Sequence, residues 1–371
     1  MKFSKSPNGY YVGLMSGTSM DGIDAVLTKI NASHCETIAT LNYPLENTIK
    51  QQLLQLATPG HDELNRLAIL DNQLGYLFAE AVNALLKKAN IDASQIIAIG
   101  SHGQTIRHEP NINYPYTMQI GNPNIIAYQT GITTIADFRK KDMAAGGQGA
   151  PLLPAFHAHI IPDISDKVIL NIGGIANITY FQNDIVYGFD TGPGNMLLDA
   201  WIHQHLQKSY DHNGEWALAG NLSNALLDLL MAETYFVKKP PKSTGRELFN
   251  LEWLQQQLNA VSDLSPNDIQ HTLLHLTAKS IANDIQKYCH HVKEIIVCGG
   301  GSHNQALLNL IHEYTNIEVT TTDKYNIPVD FVEACAFAWF AYQTMNHKPS
   351  NLPSVTGAKK TVILGGIYLA D

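Results

Sequence analysis

The stretch Val12-Gly13-Leu14-Met15-Ser16-Gly17-Thr18-Ser19-Met20-Asp21-Gly22-Ile23-Asp24-Ala25-Val26-Leu27 sets an apolar run on each side of a short polar turn. Such runs, bounded by Gly and Ser, read as two β-strands joined by that turn. The composition of the turn restricts what it can hold. Gly17 and Gly22 tolerate φ > 0 and let the backbone approach a ligand closely, Thr18 and Ser19 add hydroxyl donors, and successive N–H groups form an anion nest. Asp21 and Asp24 would repel a bare phosphate, so a divalent cation or its waters should lie between carboxylate and phosphate.

The pattern returns. Val168-Ile169-Leu170-Asn171-Ile172-Gly173-Gly174-Ile175-Ala176-Asn177-Ile178 again runs a strand into a glycine turn and out as a strand. A third glycine turn, Cys298-Gly299-Gly300-Gly301-Ser302-His303-Asn304, follows the apolar run from Ile295 and precedes a helical pattern at Leu307, Leu308 and Ile311. Any one of these fits an ordinary glycine turn. Three on one chain indicate a duplicated fold that binds one nucleotide.

At 371 residues the chain exceeds the usual size of a single core, so two domains are expected. An apolar fraction of 45% with 15% charged residues marks a packed globule. The net charge of −9 argues against a nucleic-acid binder, because phosphate backbones are held by clustered Lys and Arg. The basic stretch Lys238-Lys239-Pro240-Pro241-Lys242-Ser243-Thr244-Gly245-Arg246 fits a solvated loop or a small-anion contact. Cys35, Cys289, Cys298 and Cys335 form no C-x-x-C pair, which fits a reducing cytoplasm. No signal-peptide core and no apolar run of about 20 residues is found, so the chain is read as soluble, unexported and without a membrane partner.

Leu64, Leu67, Leu74, Leu77, Phe78, Val82 and Leu85 recur at helical spacing, and strands are expected at Ile96–Gly100, Met118–Ile120 and Ile132–Ala136. Glycines and prolines between Ala144 and Asp166 mark a linker, with a hinge that lets the lobes close on ligand. The second half repeats the plan, with strands at 168–182, 186–189 and 295–298 and a long helix through Ile269, Leu273, Ile281 and Ile285. The helix Val332–Phe340 should cross back to the first lobe. The expected organisation is α/β, with residues 1–150 plus 335–371 as one lobe and 165–334 as the other.

Gly188-Phe189-Asp190-Thr191-Gly192-Pro193-Gly194-Asn195 sets an acid at a strand end before a turn into a helix. Asp190 there is either a general base or a cap for the helix near Asn195. In Asp137-Phe138-Arg139, Arg139 either grips a substrate carboxylate as a bidentate fork or pairs with Asp137 or Asp142. Glu333, alone among apolar neighbours, needs a cation or a ligand hydroxyl facing it. The pairs His102/His108, His157/His159 and His203/His205 lack a convincing set of partner ligands and are read as core or surface residues.

Taken together, the opening motif, Asp137-Phe138-Arg139, Asn171-Ile172-Gly173-Gly174, Phe189-Asp190-Thr191-Gly192-Pro193-Gly194-Asn195 and Gly299-Gly300-Gly301-Ser302-His303-Asn304 resemble the anhydro-N-acetylmuramic acid kinases. This family belongs to the superfamily of acetate and sugar kinases, heat-shock protein 70 and actin. The resemblance runs in order over nearly the whole chain and implies a two-lobed actin-like ATPase fold of duplicated ribonuclease H-like domains. It implies a cytoplasmic enzyme of cell-wall recycling that uses ATP, Mg²⁺ and water to open a 1,6-anhydro sugar and phosphorylate O6.

By that resemblance Gly17, Thr18, Ser19, Met20, Asp21, Gly22, Ile23 and Asp24 hold ATP phosphates, and Asp21 stands near Mg²⁺. Asn171, Gly173, Gly174, Gly299, Gly300 and Asn304 complete the nucleotide site. Asp190 activates water, while Asp137, Arg139 and Glu333 face the sugar. A small-molecule substrate and a homodimer are expected, with no nucleic acid. Two other readings within the superfamily are an actin-like or chaperone ATPase, which should carry an appended binding domain, and a carbamoyl transferase, which needs a histidine metal pair. The segment from Asp211 to Asn250 receives no chemical role.

Overall fold

The computed structural model describes residues 8–17, 20–182, 185–261 and 264–370. It divides into two compact units, Met1–Pro162 with Tyr325–Asp371 and Asp163–Lys324. Residues 151–162 and 325–334 therefore join the first unit, whereas the sequence reading assigned 325–334 to the second lobe and 151–162 to the linker. The reason for the second segment is local: it leads into the helix Val332–Met345, which packs on the sheet of the first unit.

In the first unit β1 (Gly9–Ser16), β2 (Gly22–Ile30) and β3 (Cys35–Pro44) form an antiparallel meander. β4 (Ile96–Glu109) then lies parallel to β1 on its other side, β5 (Tyr116–Ile120) pairs antiparallel with the far end of β4, and β6 (Thr134–Ala136) adds parallel to β4. The second unit repeats this. β7 (Lys167–Ile172), β8 (Ile175–Gln182) and β9 (Ile185–Pro193) form a meander, with β10 (Glu294–Cys298) parallel to β7 and β11 (Glu318–Thr321) parallel to β10. Finally β12 (Gly366–Tyr368) returns to the first sheet, antiparallel to β6.

The order β6-β4-β1-β2-β3 thus matches β11-β10-β7-β8-β9 strand for strand, and each unit is a ribonuclease H-like α/β domain. The duplication inferred from the glycine turns is present in the topology itself. The expected strand at Ile96–Gly100 extends to Glu109, because Gly103 at φ 74° lets the strand bend and continue.

The apolar stripe does form a helix, Glu63–Ala89, with Leu70, Leu74, Phe78, Ala81, Val82 and Leu85 buried against the sheet. Its first turn lies beyond the core, and Leu64 is 78% exposed. In the second unit the long helix Pro266–Tyr288 starts at a capping box, Ser265 with Asp268, and has Pro266 at its first position. The helix Val332–Met345 is apolar nearly all round and buried from Ala334 to Tyr342. It approaches β1 and β4 so closely that a Cβ at Gly13 would collide with Ala334 O, and one at Gly100 with Phe337 O. No described helix is long and apolar enough to cross a membrane.

The helix Met196–Leu206 carries Asp199, whose carboxyl is pushed up to about 7 by burial and by the charge of Asp211. A carboxyl raised above its unfolded value contributes stability that is complete below about pH 4 and is lost as pH rises through about 7. Asp199→Asn is therefore expected to stabilise the protein more at about pH 8 than at about pH 5, measured by urea unfolding. Equal effects at both values would place the change in packing instead of ionisation.

Candidate active site

In the second unit the β7–β8 hairpin turns at Gly173 and Gly174, and these two residues anchor the next helix. Gly194 N and Met196 N donate to Gly174 O, at 2.9 and 3.2 Å, and Asn195 N donates to Gly173 O at 2.8 Å. After β10, Gly299 takes φ 80° and brings the backbone beside Asn171 and Ile172. A Cβ at Gly173 or Gly174 would find its nearest neighbour at 3.7 Å, and one at Gly300 at 3.9 Å. At Gly173, Gly174 and Gly300 the backbone is thus uncrowded, as a phosphate cradle requires. Asn304 has a local task as well: its side chain accepts from Leu307 N at 3.1 Å and caps the helix Gln305–Thr315.

Asp190 lies on β9, opposite Asn177 in the hairpin. It does not cap the helix Met196–Leu206, whose N-cap is Asn195. Its Oδ2 accepts from Thr244 N at 3.0 Å, its N–H donates to Lys242 O at 3.1 Å, and its O accepts from Tyr235 OH at 2.7 Å. Among the described residues no hydrogen bond falls on Oδ1. Burial raises the carboxyl above its ordinary value, the Thr244 N–H lowers it, Glu247 raises it and Lys242 lowers it. The result is a half-buried acid with one oxygen oriented and one free to accept a proton.

The three residues that hold Asp190 come from the segment to which the sequence gave no role. Tyr235, Lys242 and Thr244 carry no motif, and the one signal was the basic stretch that contains Lys242 and Thr244. That lysine is a buried residue and not part of a solvated loop.

In the first unit the β1–β2 turn places Gly17 with no atom within 4 Å of a would-be Cβ, again a bare backbone. Thr18 and Ser19 lie outside the described residues. Met20 takes φ 56°, donates its N–H to Gly17 O at 3.2 Å and buries its side chain in the core, as does Ile23. These two residues can meet a ligand only through their backbone. Asp21 forms an exposed ion pair with Lys50. Ser16 Oγ, 2.7 Å from Gln104 Oε1 and 3.1 Å from Gly22 O, braces the turn.

Arg139 opens the helix Phe138–Ala144 after β6. Its Nε donates to His102 Nε2 and its Nη1 to Gly149 O, both at 2.9 Å. Neither expected carboxylate pairs with it. Asp137 accepts from Tyr368 OH at 2.7 Å and pairs with Lys140 at 2.6 Å, while Asp142 is buried and accepts from Asn351, Thr356 and the Gly149 N–H.

His102, read from sequence as a core or surface residue in preference to a metal ligand, is buried and orients Arg139. With Nδ1 2.9 Å from Gly103 O, it is the tautomer that donates there and accepts at Nε2. Burial and the Arg139 charge both lower its pKa well below the ordinary value, so it stays neutral.

Glu333 stands in the first turn of the helix Val332–Met345 with accessible surface. The surrounding protein desolvates its carboxyl and raises its pKa, Arg139 draws it down, and Asp24 adds to the rise. Asp24 is itself raised by burial, lowered by Asn42, whose Nδ2 donates to it at 2.7 Å, and raised by Asp330. Glu333 thus feels both Arg139 and Asp24, a cation that favours its charge and an acid that opposes it. Among the described residues there is no group of three or more His, Cys, Asp or Glu placed to hold a metal ion.

Comparison with known proteins matches residues 9–370 to the model of the family described as anhydro-N-acetylmuramic acid kinase. A relative of that name from Shewanella pealeana is 53% identical over 368 residues, covering 98% of this chain and 100% of the relative. One from Photobacterium profundum is 49% identical, covering 97% of this chain and 99% of the relative. A third, from Coxiella burnetii, is 50% identical, covering 98% and 99%.

Proposed function

This chain belongs to the anhydro-N-acetylmuramic acid kinase family, and from that premise we propose that it opens the 1,6-anhydro ring of 1,6-anhydro-N-acetylmuramic acid with water while transferring the γ-phosphoryl of ATP to O6. The products are N-acetylmuramate 6-phosphate and ADP, in the recycling of cell-wall peptidoglycan. The observation that carries the mechanism is Asp190, held at Oδ2 by the Thr244 N–H with Oδ1 open.

An anhydro sugar has no hydroxyl at O6 to deprotonate, so water must attack C1. As the C1–O bond to water forms, the C1–O6 bond breaks and its electron pair goes to the γ-phosphorus, whose bond to the β–γ bridging oxygen breaks as ADP leaves. Asp190 accepts the proton from the water. A carboxylate whose proton affinity burial raises is suited to that transfer.

Each unit by itself carries backbone suited to the close approach of a phosphate, at Gly17 in the first and at Gly173, Gly174 and Gly300 in the second. Mg²⁺ carried by those phosphates would neutralise charge that develops on the transferred group. Asp21 is the acid nearest that role by motif, although its present partner is Lys50. Arg139, braced by His102, offers charge and donors to the lactyl carboxylate of the sugar, and Glu333 and Asp24 offer acceptors to hydroxyls. A cytoplasmic homodimer acting on a small molecule completes the reading; four buried cysteines, none of them in a disulfide, are consistent with a reducing compartment.

The test is a product assay in ¹⁸O-water with ATP and the anhydro sugar. Sugar-dependent ADP release with ¹⁸O at C1 of a sugar 6-phosphate is expected. Label in inorganic phosphate, independent of the sugar, would reduce the activity to ATP hydrolysis and overturn the reading.

Arg139→Lys is expected to raise the KM for the sugar by about 10-fold or more and that for ATP by less than about twofold, since it keeps the charge but loses the planar fork. Equal changes in the two constants would make Arg139 a structural residue of the Gly149 loop.

A further inference from the structure

Every held group of Asp190 is held by one strap. Lys242 O takes its N–H, the Thr244 N–H takes Oδ2, and Tyr235 OH takes its carbonyl. The strap is in turn anchored by an ion pair. Lys242 Nζ lies 2.7 Å from Asp284 Oδ2 on the helix Pro266–Tyr288, and the two side chains are only 2% and 6% accessible. The ammonium also sits 5.0 Å from the centre of the Tyr235 ring and 5.9 Å from that of Phe189, the residue preceding Asp190 on β9.

A buried ion pair is a poor way to gain stability. Removing two charges from water costs about as much as their attraction returns, and an apolar pair of similar volume is often as stable or more so. Its presence here asks for another reason, and its position supplies one. An ammonium fixed behind the carboxylate favours the ionised form, and the strap it anchors sets the carboxylate's direction. The charged groups facing this site are Lys242 and Glu247 from the strap and Asp284 from the helix, and the neutral Tyr235 hydroxyl is the other titratable group.

We infer that Lys242 and Asp284 are positioning residues for Asp190: their ion pair locks the strap to the helix so that the carboxylate is held aimed and charged when water arrives. The inference rests on the reading of Asp190 as the base. Lys242→Met alone strands Asp284 in the interior, so the decisive variant is the double one, Lys242→Met with Asp284→Leu, which removes both charges together.

Two measurements on the intact protein test it. First, the Asp190 carboxyl is titrated by ¹³C NMR, its signal assigned by its loss in Asp190→Asn. In the double variant its midpoint is expected to rise by about half a unit or more, because the nearby cation is gone. Second, kcat is expected to fall about 10-fold or more, with KM for sugar and ATP within about twofold and the acid limb of the kcat profile moved upward with the titration.

An unmoved titration overturns the inference whatever kcat does, since a loss of rate without it reflects general disruption. Wild-type kcat in the double variant overturns it as well. If the titration moves but Asp190→Asn keeps full turnover, the hold on the carboxylate stands and the reading of Asp190 as the base fails. The converse pair of results separates them the other way.

Discussion

Asp190→Asn is expected to lower sugar-dependent turnover by a factor of at least about 10² while leaving the fold and nucleotide affinity intact. The amide matches the carboxylate in shape, and its oxygen can still accept the Thr244 N–H that now falls on Oδ2. What it cannot do is take a proton from water. Stability provides an internal control. Burial is the largest influence on the carboxyl and raises its pKa, so at neutral pH ionisation works against folding and the neutral amide should be no less stable than wild type. Turnover at saturating ATP and sugar, with urea unfolding in parallel, therefore gives loss of rate without loss of stability. Near-wild-type turnover would remove the base from the mechanism and leave Asp190 the structural role of joining β9 to the segment of Tyr235, Lys242 and Thr244.

How much of this was legible depends on the range of the forces involved. Glycine turns between apolar runs are local, and all three appeared where expected: the β1–β2 turn, the β7–β8 turn and the turn after β10. Asp190 was visible because a strand and a following helix can be read from a dozen residues, although β9 runs on to Pro193 and leaves Asp190 inside the strand instead of at the expected end. Its surroundings were not. Lys242 and Asp284 meet across more than forty residues of sequence, and neither has a periodicity or spacing that points to the other. The same holds for His102 and Arg139. Sequence proximity had instead suggested Asp137 and Asp142 as partners of Arg139, but Lys140, Tyr368, Asn351 and Thr356 reach those carboxylates first. Residue type announces what chemistry is available. Which partner claims it depends on the packing of elements distant in the chain.

The helix Val332–Met345 gives the sharpest stability test, because its fit on β1 and β4 rests on two missing methyl groups. Gly100→Ala is expected to cost at least about 3 kcal/mol, the upper end of the penalty for overpacking a core. The usual relief, rotation of a side chain, does not exist here. The new Cβ would strike the carbonyl oxygen of Phe337, a backbone atom in the middle of a helix that is buried on nearly every side. Gly13→Ala meets Ala334 O in the same way and should behave alike. To accommodate either methyl the helix must lift from the sheet, and Glu333 in its first turn would move away from Arg139. Loss of stability should therefore be accompanied by a rise in the KM for the sugar in whatever fraction remains folded. Gly300→Ala is the matched control: its Cβ would have no neighbour nearer than 3.9 Å, so the urea midpoint should shift by less than about a tenth of that seen for Gly100→Ala. If Gly100→Ala unfolds at the wild-type midpoint, the helix does not pack on β1 and β4 as described, and the placement of Glu333 beside Arg139 falls with it.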